Sequence, residues 1–425
     1  MSSTTWWLAS RRAAFSWRGL SFALALLLLL LGESAQGREP TADEQLMLEM
    51  INRMRTRPQQ ELDLLANINY GAAATFASPS SDDPNVAAAL TFFNVRPDIL
   101  STQWAALTPV QPLAWNGQLG VSSATYSQVM IDVDQQGHNL DAHGDDLAAR
   151  LIASNYLFVG GGTAGENVFA FARSVFHGHA AFAIDWGATA SGIQVPPGHR
   201  DLIANGDMRE IGIGILNDSD SATAVGPLVM TQHFAVDYTT DAFLTGVAFA
   251  DANGDAFYAP GEGLSGLAIV AVDTSSGNRF STLTWGSGGY TLELAPGTYD
   301  VVASGPSVGQ LTFPGIVVNS QNIKLDVMPS STPLPGDANM DGVVDRADAA
   351  LLSQHLGIES GALWGGGDFD GNGFVDLQDL AILSRNLSPA SSSVPSAAAV
   401  PEAPAGSLTL LAAFTLVGVG IARRR

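Results

Sequence analysis

The sequence predicts a multidomain chain: an α/β/α sandwich, then an antiparallel β-sandwich, then a small α module built on oxygen-rich loops. Three observations carry this. The 425 residues exceed one ordinary domain. The hydrophobic pattern changes from helical spacing followed by strands over 41–240 to short alternating runs over 244–328. Residues 336–388 then repeat one unit at a period of 31.

Composition removes several function classes. Nineteen Lys+Arg against 41 Asp+Glu give a formal charge of −22, which repels nucleic acid rather than steering it in. With no cysteine there are no disulfides, no Cys-ligated zinc, no iron–sulfur cluster and no thiol nucleophile.

Taken in order, residues 1–37 carry Arg11, Arg12 and Arg18, the apolar run Leu20–Leu31, then Ala35 and Gly37 at −3 and −1 of a cut. That reads as a signal peptide, hence export; a dozen apolar residues are short for a membrane span. Over 41–240, Leu46, Met47, Met50, Ile51 and Met54 space as one helix face, stopped by Pro58. Gln118–Val133, Asp145–Tyr156 and Val175–Trp186 also read as helices, Glu210–Leu216 and Leu228–Val236 as strands, and the Ala- and Ser-rich stretch 71–103 as an inserted loop. In 244–328, Leu267–Val272, Tyr290–Leu294, Tyr299–Ala303 and Ile316–Val318 alternate between Gly, Pro, Ser and Asn turns, as in a β-sandwich. Residues 329–335 are a linker, 336–388 the repeated module, 389–406 a Ser/Pro/Ala spacer and 407–425 an apolar segment ending in three arginines.

The repeat holds the strongest chemistry. Asp337, Asn339, Asp341, Asp345 and Asp348 occupy positions 1, 3, 5, 9 and 12 of one loop, and Asp368, Asp370, Asn372, Asp376 and Asp379 those of the second. Gly342 and Gly373 stand at position 6, where an EF-hand-like loop turns sharply, and Val343 and Phe374 at position 7 supply carbonyls. Oxygen cages of this kind suit Ca2+. The paired loop–helix units resemble a type I dockerin, which implies calcium-dependent folding and a cohesin-like partner. Asp251, Asn253, Asp255 and Glu262 form a third oxygen-rich loop. With Gly288-Gly-Tyr290 and Pro296-Gly-Thr-Tyr299 it resembles the calcium-binding B-type repeats of bacterial adhesins, prealbumin-like β-sandwich spacers.

Six of seven histidines lie between 138 and 233. Their surroundings match, in order, the CAP superfamily, also called the SCP domain. The matching residues are Asn52-Arg53, Pro112-Leu-Ala-Trp115-Asn116, Gly137-His138, Arg150, Asn155-Tyr156, Gly165-Glu166-Asn167 and Trp186. Pro197-Gly198-His199-Arg200, Glu210-Ile-Gly212-Ile-Gly214 and Thr231-Gln232-His233-Phe234 continue the resemblance. It implies a cleft holding His138, Glu166 and His199, able to ligate Zn2+ or another divalent cation, or to act as an acid/base pair around a water. The family's second Glu, three residues after the Trp, is replaced by Thr189. A ligand- or cation-binding cleft, an extracellular hydrolase of peptide or polysaccharide, and a stabilising polar core are the three readings. Finally, Val400-Pro-Glu-Ala-Pro404 before the apolar end resembles a PEP-CTERM sorting tail, with Ala403 where the family has Pro. This implies transient membrane anchoring, an exosortase-type sorting enzyme, and a cell-surface or extracellular-matrix destination.

Overall fold

The computed structural model describes residues 37–220, 222–305, 308–328, 334–338, 343–358, 362, 366–370 and 372–387. The leader, the C-terminal spacer and sorting segment, most of the 329–335 linker, and Asn339 and Asp341 lie outside the described residues. Among the described residues no helix is long and apolar enough to cross a membrane.

The first region opens with α1 (Ala42–Thr56), begun by a capping box in which Thr41 and Glu44 exchange side chain-to-backbone bonds. Pro58 then starts α2 (Pro58–Leu65). A two-stranded ribbon, β1 (Ile68–Asn69) with β2 (Thr75–Phe76), leads to α3 (Pro84–Phe92) and α4 (Pro97–Ala105). About half of the expected loop over 71–103 is therefore helical. Both helices start on proline, and Asp83 caps α3 through the amides of Asn85 and Val86. Val86, Leu90, Leu100 and Trp104 join the main core. There follow β3 (Ala114–Trp115), α5 (Gly117–Asp132), α6 (Leu147–Ala153), β4 (Gly162–Ala172), α7 (Val175–Ile184), α8 (Gly198–Ile203), β5 (Glu210–Asn217) and β6 (Leu228–Asp237).

The sheet order is β3-β5-β6-β4, with β4 at an edge. Alternation assigns its faces. Gly212 and Gly214 lie directly under α5: a Cβ on Gly212 would stand 2.0 Å from the α5 backbone, and one on Gly214 2.4 Å. The intervening Ile211 and Ile213 turn the other way, into a core with Met47, Met50 and Ile51 of α1 and Phe182 of α7. Helices thus cover both faces.

The second region is a sandwich of two sheets. One, in the order β10-β7-β13, joins β7 (Ala242–Val247), β10 (Gly289–Leu294) and β13 (Ile323–Lys324). The other, in the order β12-β11-β8-β9, joins β8 (Ala268–Asp273), β9 (Arg279–Leu283), β11 (Gly297–Gly305) and β12 (Gly309–Val318). Leu244, Ile269, Tyr290, Tyr299, Val301 and Phe313 fill the space between them. This sandwich is fused to the first region by buried polar contacts. Asn322, 2% exposed, donates to the carbonyls of Pro112 (2.9 Å) and Arg209 (2.7 Å) and accepts the Phe243 amide at 3.0 Å. Lys324, the chain's single lysine, pairs with Glu49 of α1 at 2.8 Å and with Asp326. The Arg53 guanidinium lies 3.9 Å from the Phe257 ring centroid.

The repeated module holds α9 (Arg346–His355) and α10 (Leu377–Asn386). Its two halves lock reciprocally. Gly336 (φ +105) sits against Leu383 of α10, and Gly367 (φ +103) against Leu352 of α9, with no room in either place for a Cβ. Val344, Leu352, Val375 and Leu383 form its core.

Candidate functional site

The repeat loops are held by short-range bonds. Asp368 accepts the amides of Asn372 (3.1 Å) and Gly373 (2.8 Å), Asn372 accepts that of Phe374 (2.8 Å), and Gly373 turns at φ +83. Asp379 accepts from Phe369 at 2.7 Å and Asp376 at 2.9 Å; its counterpart Asp348 accepts from Ala338 at 2.9 Å and Asp345 at 2.7 Å. The position-9 acids, expected as ligands, serve here as N-caps: Asp345 of α9 and Asp376 of α10, each in a capping box. Among the described residues, Asp368, Asp370 and Asp379 alone bring three such ligand atoms within 4.8 Å of one another. All-oxygen donors around one point fit a hard cation such as Ca2+.

The 251–262 loop repeats this bonding register. Asp251 accepts from Asp255 (3.1 Å) and Ala256 (3.1 Å), Asn253 from Asp255 (3.0 Å), and Asp255 from Phe257 (2.8 Å). Ala256, at φ +57, makes the turn that Gly373 makes in the repeat. Glu262 folds back onto the amides of Ala252 (3.0 Å) and Ala259 (2.8 Å).

The expected histidine–glutamate trio separates. Register pairs Glu166 on β4 with His233 on β6, and Asn167 with Gln232. Glu166 therefore faces α5, whereas Asn167 faces α7 and α8 and donates to the His199 carbonyl at 3.2 Å. On the α5 face, Glu166 accepts from His138 Nδ1 (2.8 Å), His233 Nε2 (2.7 Å) and the Arg150 guanidinium. Arg150 also holds Asp141 at 2.8 Å and the His138 carbonyl at 3.0 Å, and lies 3.8 Å from the Tyr126 ring centroid. Burial alone would raise the Glu166 carboxyl; bonds from His138 and His233 with the Arg150 charge outweigh it and hold it down at about 2. Burial pulls His233 below the ordinary histidine range, so it donates to Glu166 as a neutral imidazole.

His199 belongs to a second set. Asp185, at φ +59 where α7 ends, accepts from His199 Nδ1 at 2.7 Å and from the His199 amide at 2.9 Å. Asp185 is fully buried, and the His199 side chain is 21% exposed. His138, Glu166 and His199 thus do not converge on one point. Sequence reasoning passed over His233 and Arg150 as members of the Glu166 set, and Asp185 altogether. No local pattern marks the first two; the β4–β6 register brings His233 to Glu166. Of the remaining histidines, His179 is buried on Glu61 at 2.9 Å, and His177 caps nothing but accepts the Arg173 amide at 3.2 Å.

Residues 335–388 match the dockerin type I domain, and residues 253–328 match the carboxypeptidase regulatory-like domain. The chain thus carries a type I dockerin domain, a calcium-binding module, and a β domain of the carboxypeptidase regulatory-like kind. No curated protein matches the sequence. Among solved structures, an N-terminal interface mutant of a type II cohesin–X–dockerin complex from Acetivibrio cellulolyticus is 17% identical, covering 34% of this chain and 95% of that one, with a TM-score of 0.15. A C-terminal interface mutant of the same complex is 15% identical over 34% and 95%, with a TM-score of 0.15. An extracellular protein containing an SCP domain, from Bacillus anthracis, is 21% identical over 38% of this chain, with a TM-score of 0.22. The chain spans 45% of that protein's length. TM-scores this low assign no fold.

Proposed function

We propose that this chain is an exported, calcium-dependent modular protein that docks through residues 336–388 onto a cohesin-like module and displays a CAP-like domain, residues 41–240, at the cell surface or in the extracellular matrix. The carrying observation is the convergence of Asp368, Asp370 and Asp379 in a loop that the sequence repeats at an interval of 31. The leader directs export, and the C-terminal segment hands the chain to an exosortase-type sorting enzyme. The 251–262 loop takes a further Ca2+, in the manner of adhesin B-type repeats; its bonding register, shared with 368–374, supports this.

For the CAP-like head, binding is the better reading. Glu166 already accepts three donors and stays ionised far below neutral pH, which leaves it little basicity for proton transfer. One observation favours the second reading, a hydrolase of peptide or polysaccharide. Asp185 fixes His199 through Nδ1, the arrangement that frees Nε2 to move a proton or ligate Zn2+. A peptide-library and polysaccharide cleavage assay of the calcium-loaded chain, with and without Zn2+, separates the two. Turnover lost in His199→Ala and Asp185→Asn supports the hydrolase; no turnover under any metal supports the binding head. Docking is tested by helical circular dichroism on chelation: an unchanged signal would sink the calcium-dependent module.

A further inference from the structure

A concave pocket of about 720 Å3 opens on the outer side of α5, bounded by the 141–143 loop and the C-terminal end of α6, a size ordinary for small-ligand sites. It contains none of His138, Glu166 and His199. Its chemistry narrows the occupant. Ser122 is one of the lining residues; it is 1% exposed, and its buried hydroxyl has no hydrogen-bond partner within the protein. Such a group costs free energy until something pairs with it.

Charge inside the pocket is already cancelled. Arg150 is committed to Asp141, Glu166 and the carbonyls of His138 and Gly144, so an ionic ligand finds no unpaired countercharge and would lose its hydration uncompensated. The acidic chain as a whole also repels polyanions. The Thr125 hydroxyl already donates to the Val121 carbonyl at 2.8 Å; besides Ser122, the lining offers the hydroxyl of Ser154, the carboxamide of Asn155 and the imidazole of His143. A purely apolar ligand would bury these unsatisfied. Val121, 37% exposed, adds an apolar patch beside them. Uncharged donors and acceptors next to a small apolar surface complement a molecule with many hydroxyls and a C–H face.

We propose that this pocket binds a neutral saccharide unit. Asn155, a lining residue held at φ +64, is the contact to test, because glycine can replace it there without strain and removes only the carboxamide.

The test titrates the full calcium-loaded chain, by saturation-transfer NMR and calorimetry, with cellotetraose, xylotetraose and chitotetraose, and with tetragalacturonate as the charged counterpart. At least one neutral tetrasaccharide binds with a Kd of about 1 mM or tighter. Ser122→Val and Asn155→Gly each weaken it by about tenfold or more, while His138→Ala leaves it unchanged. Asn155→Gly keeps the test decisive should Ser122→Val disturb α5. Absence of binding by all three neutral sugars at about 10 mM overturns the proposal. So does tighter binding of tetragalacturonate, or loss of binding in His138→Ala with wild-type affinity in the two pocket variants. The last outcome would move the ligand to the Glu166 set, so failure of this pocket is distinguishable from failure of the cleft reading.

Discussion

Replacing Glu166 by glutamine should remove the ionic side-chain contacts that add to the β4–β6 backbone ladder and tie β4 to α6. The carboxylate is 6% exposed and accepts from His138, His233 and Arg150. A carboxamide accepts at one end only and turns an N–H toward a donor at the other. The size of the effect follows from the carboxyl's position at about 2, against about 4.3 in an unfolded chain. That difference corresponds to roughly 3 kcal/mol of stability at pH 7. Because the folded value lies below the unfolded one, this contribution is complete above about pH 4.3 and disappears as pH falls toward 2. Hydrogen exchange of peptides spanning 162–172 and 228–237 measures it directly. At pH 7 the Glu166→Gln variant should lose about 100-fold in protection, and wild type should lose the same protection on acidification between about pH 4.5 and 2 while the variant does not. A variant within about 0.5 kcal/mol of wild type, or one that keeps the wild-type acid dependence, would refute the reasoning.

Three further outcomes follow from packing and ligation. Gly212→Ala places a methyl 2.0 Å from the α5 backbone and should cost roughly 3 kcal/mol in denaturant unfolding of the first region, whereas an alanine at the open Gly198 should cost little. Lys324→Ala leaves Glu49 buried without its cation; unfolding of the fused first and second regions should be destabilised by about 3–5 kcal/mol. Chelation of calcium should abolish exchange protection in α9 and α10 while sparing α5, and Asp379→Ala should do the same in the presence of calcium, by calorimetry as well as exchange.

How much was legible depends on sequence distance. The Thr41–Glu44 and Asp376–Asp379 capping boxes span three residues and could be read directly, as could the paired loops. The two helices between 84 and 105 were not legible because each buries few side chains (Val86 and Leu90, Leu100 and Trp104), too few to draw an apolar stripe through an Ala-rich stretch. Their Asp83-Pro84 and Arg96-Pro97 starts were the readable signal. Which of His138, Glu166 and His199 share a face was not legible for a different reason. Glu166 and Asn167 are neighbours in sequence but face opposite sides of β4, and only strand register could say which side His199 occupies.

By itself, the sequence determined what twelve consecutive residues can determine. An oxygen-ligand loop is made by side chains and amides a few positions apart, so its spacing is already its geometry, and its duplication made the module recognisable. Tertiary structure decided the rest. His233 meets Glu166 across 67 residues because β4 and β6 pair in one register, and Arg150 reaches Glu166 because α6 lies over that edge. The buried Asn322 and the partly buried Lys324 likewise turned two apparently separate modules into one joined body. Those partners are chosen by burial, since a charge or amide removed from water must find its complement wherever the chain brings one, and no local pattern records where that will be.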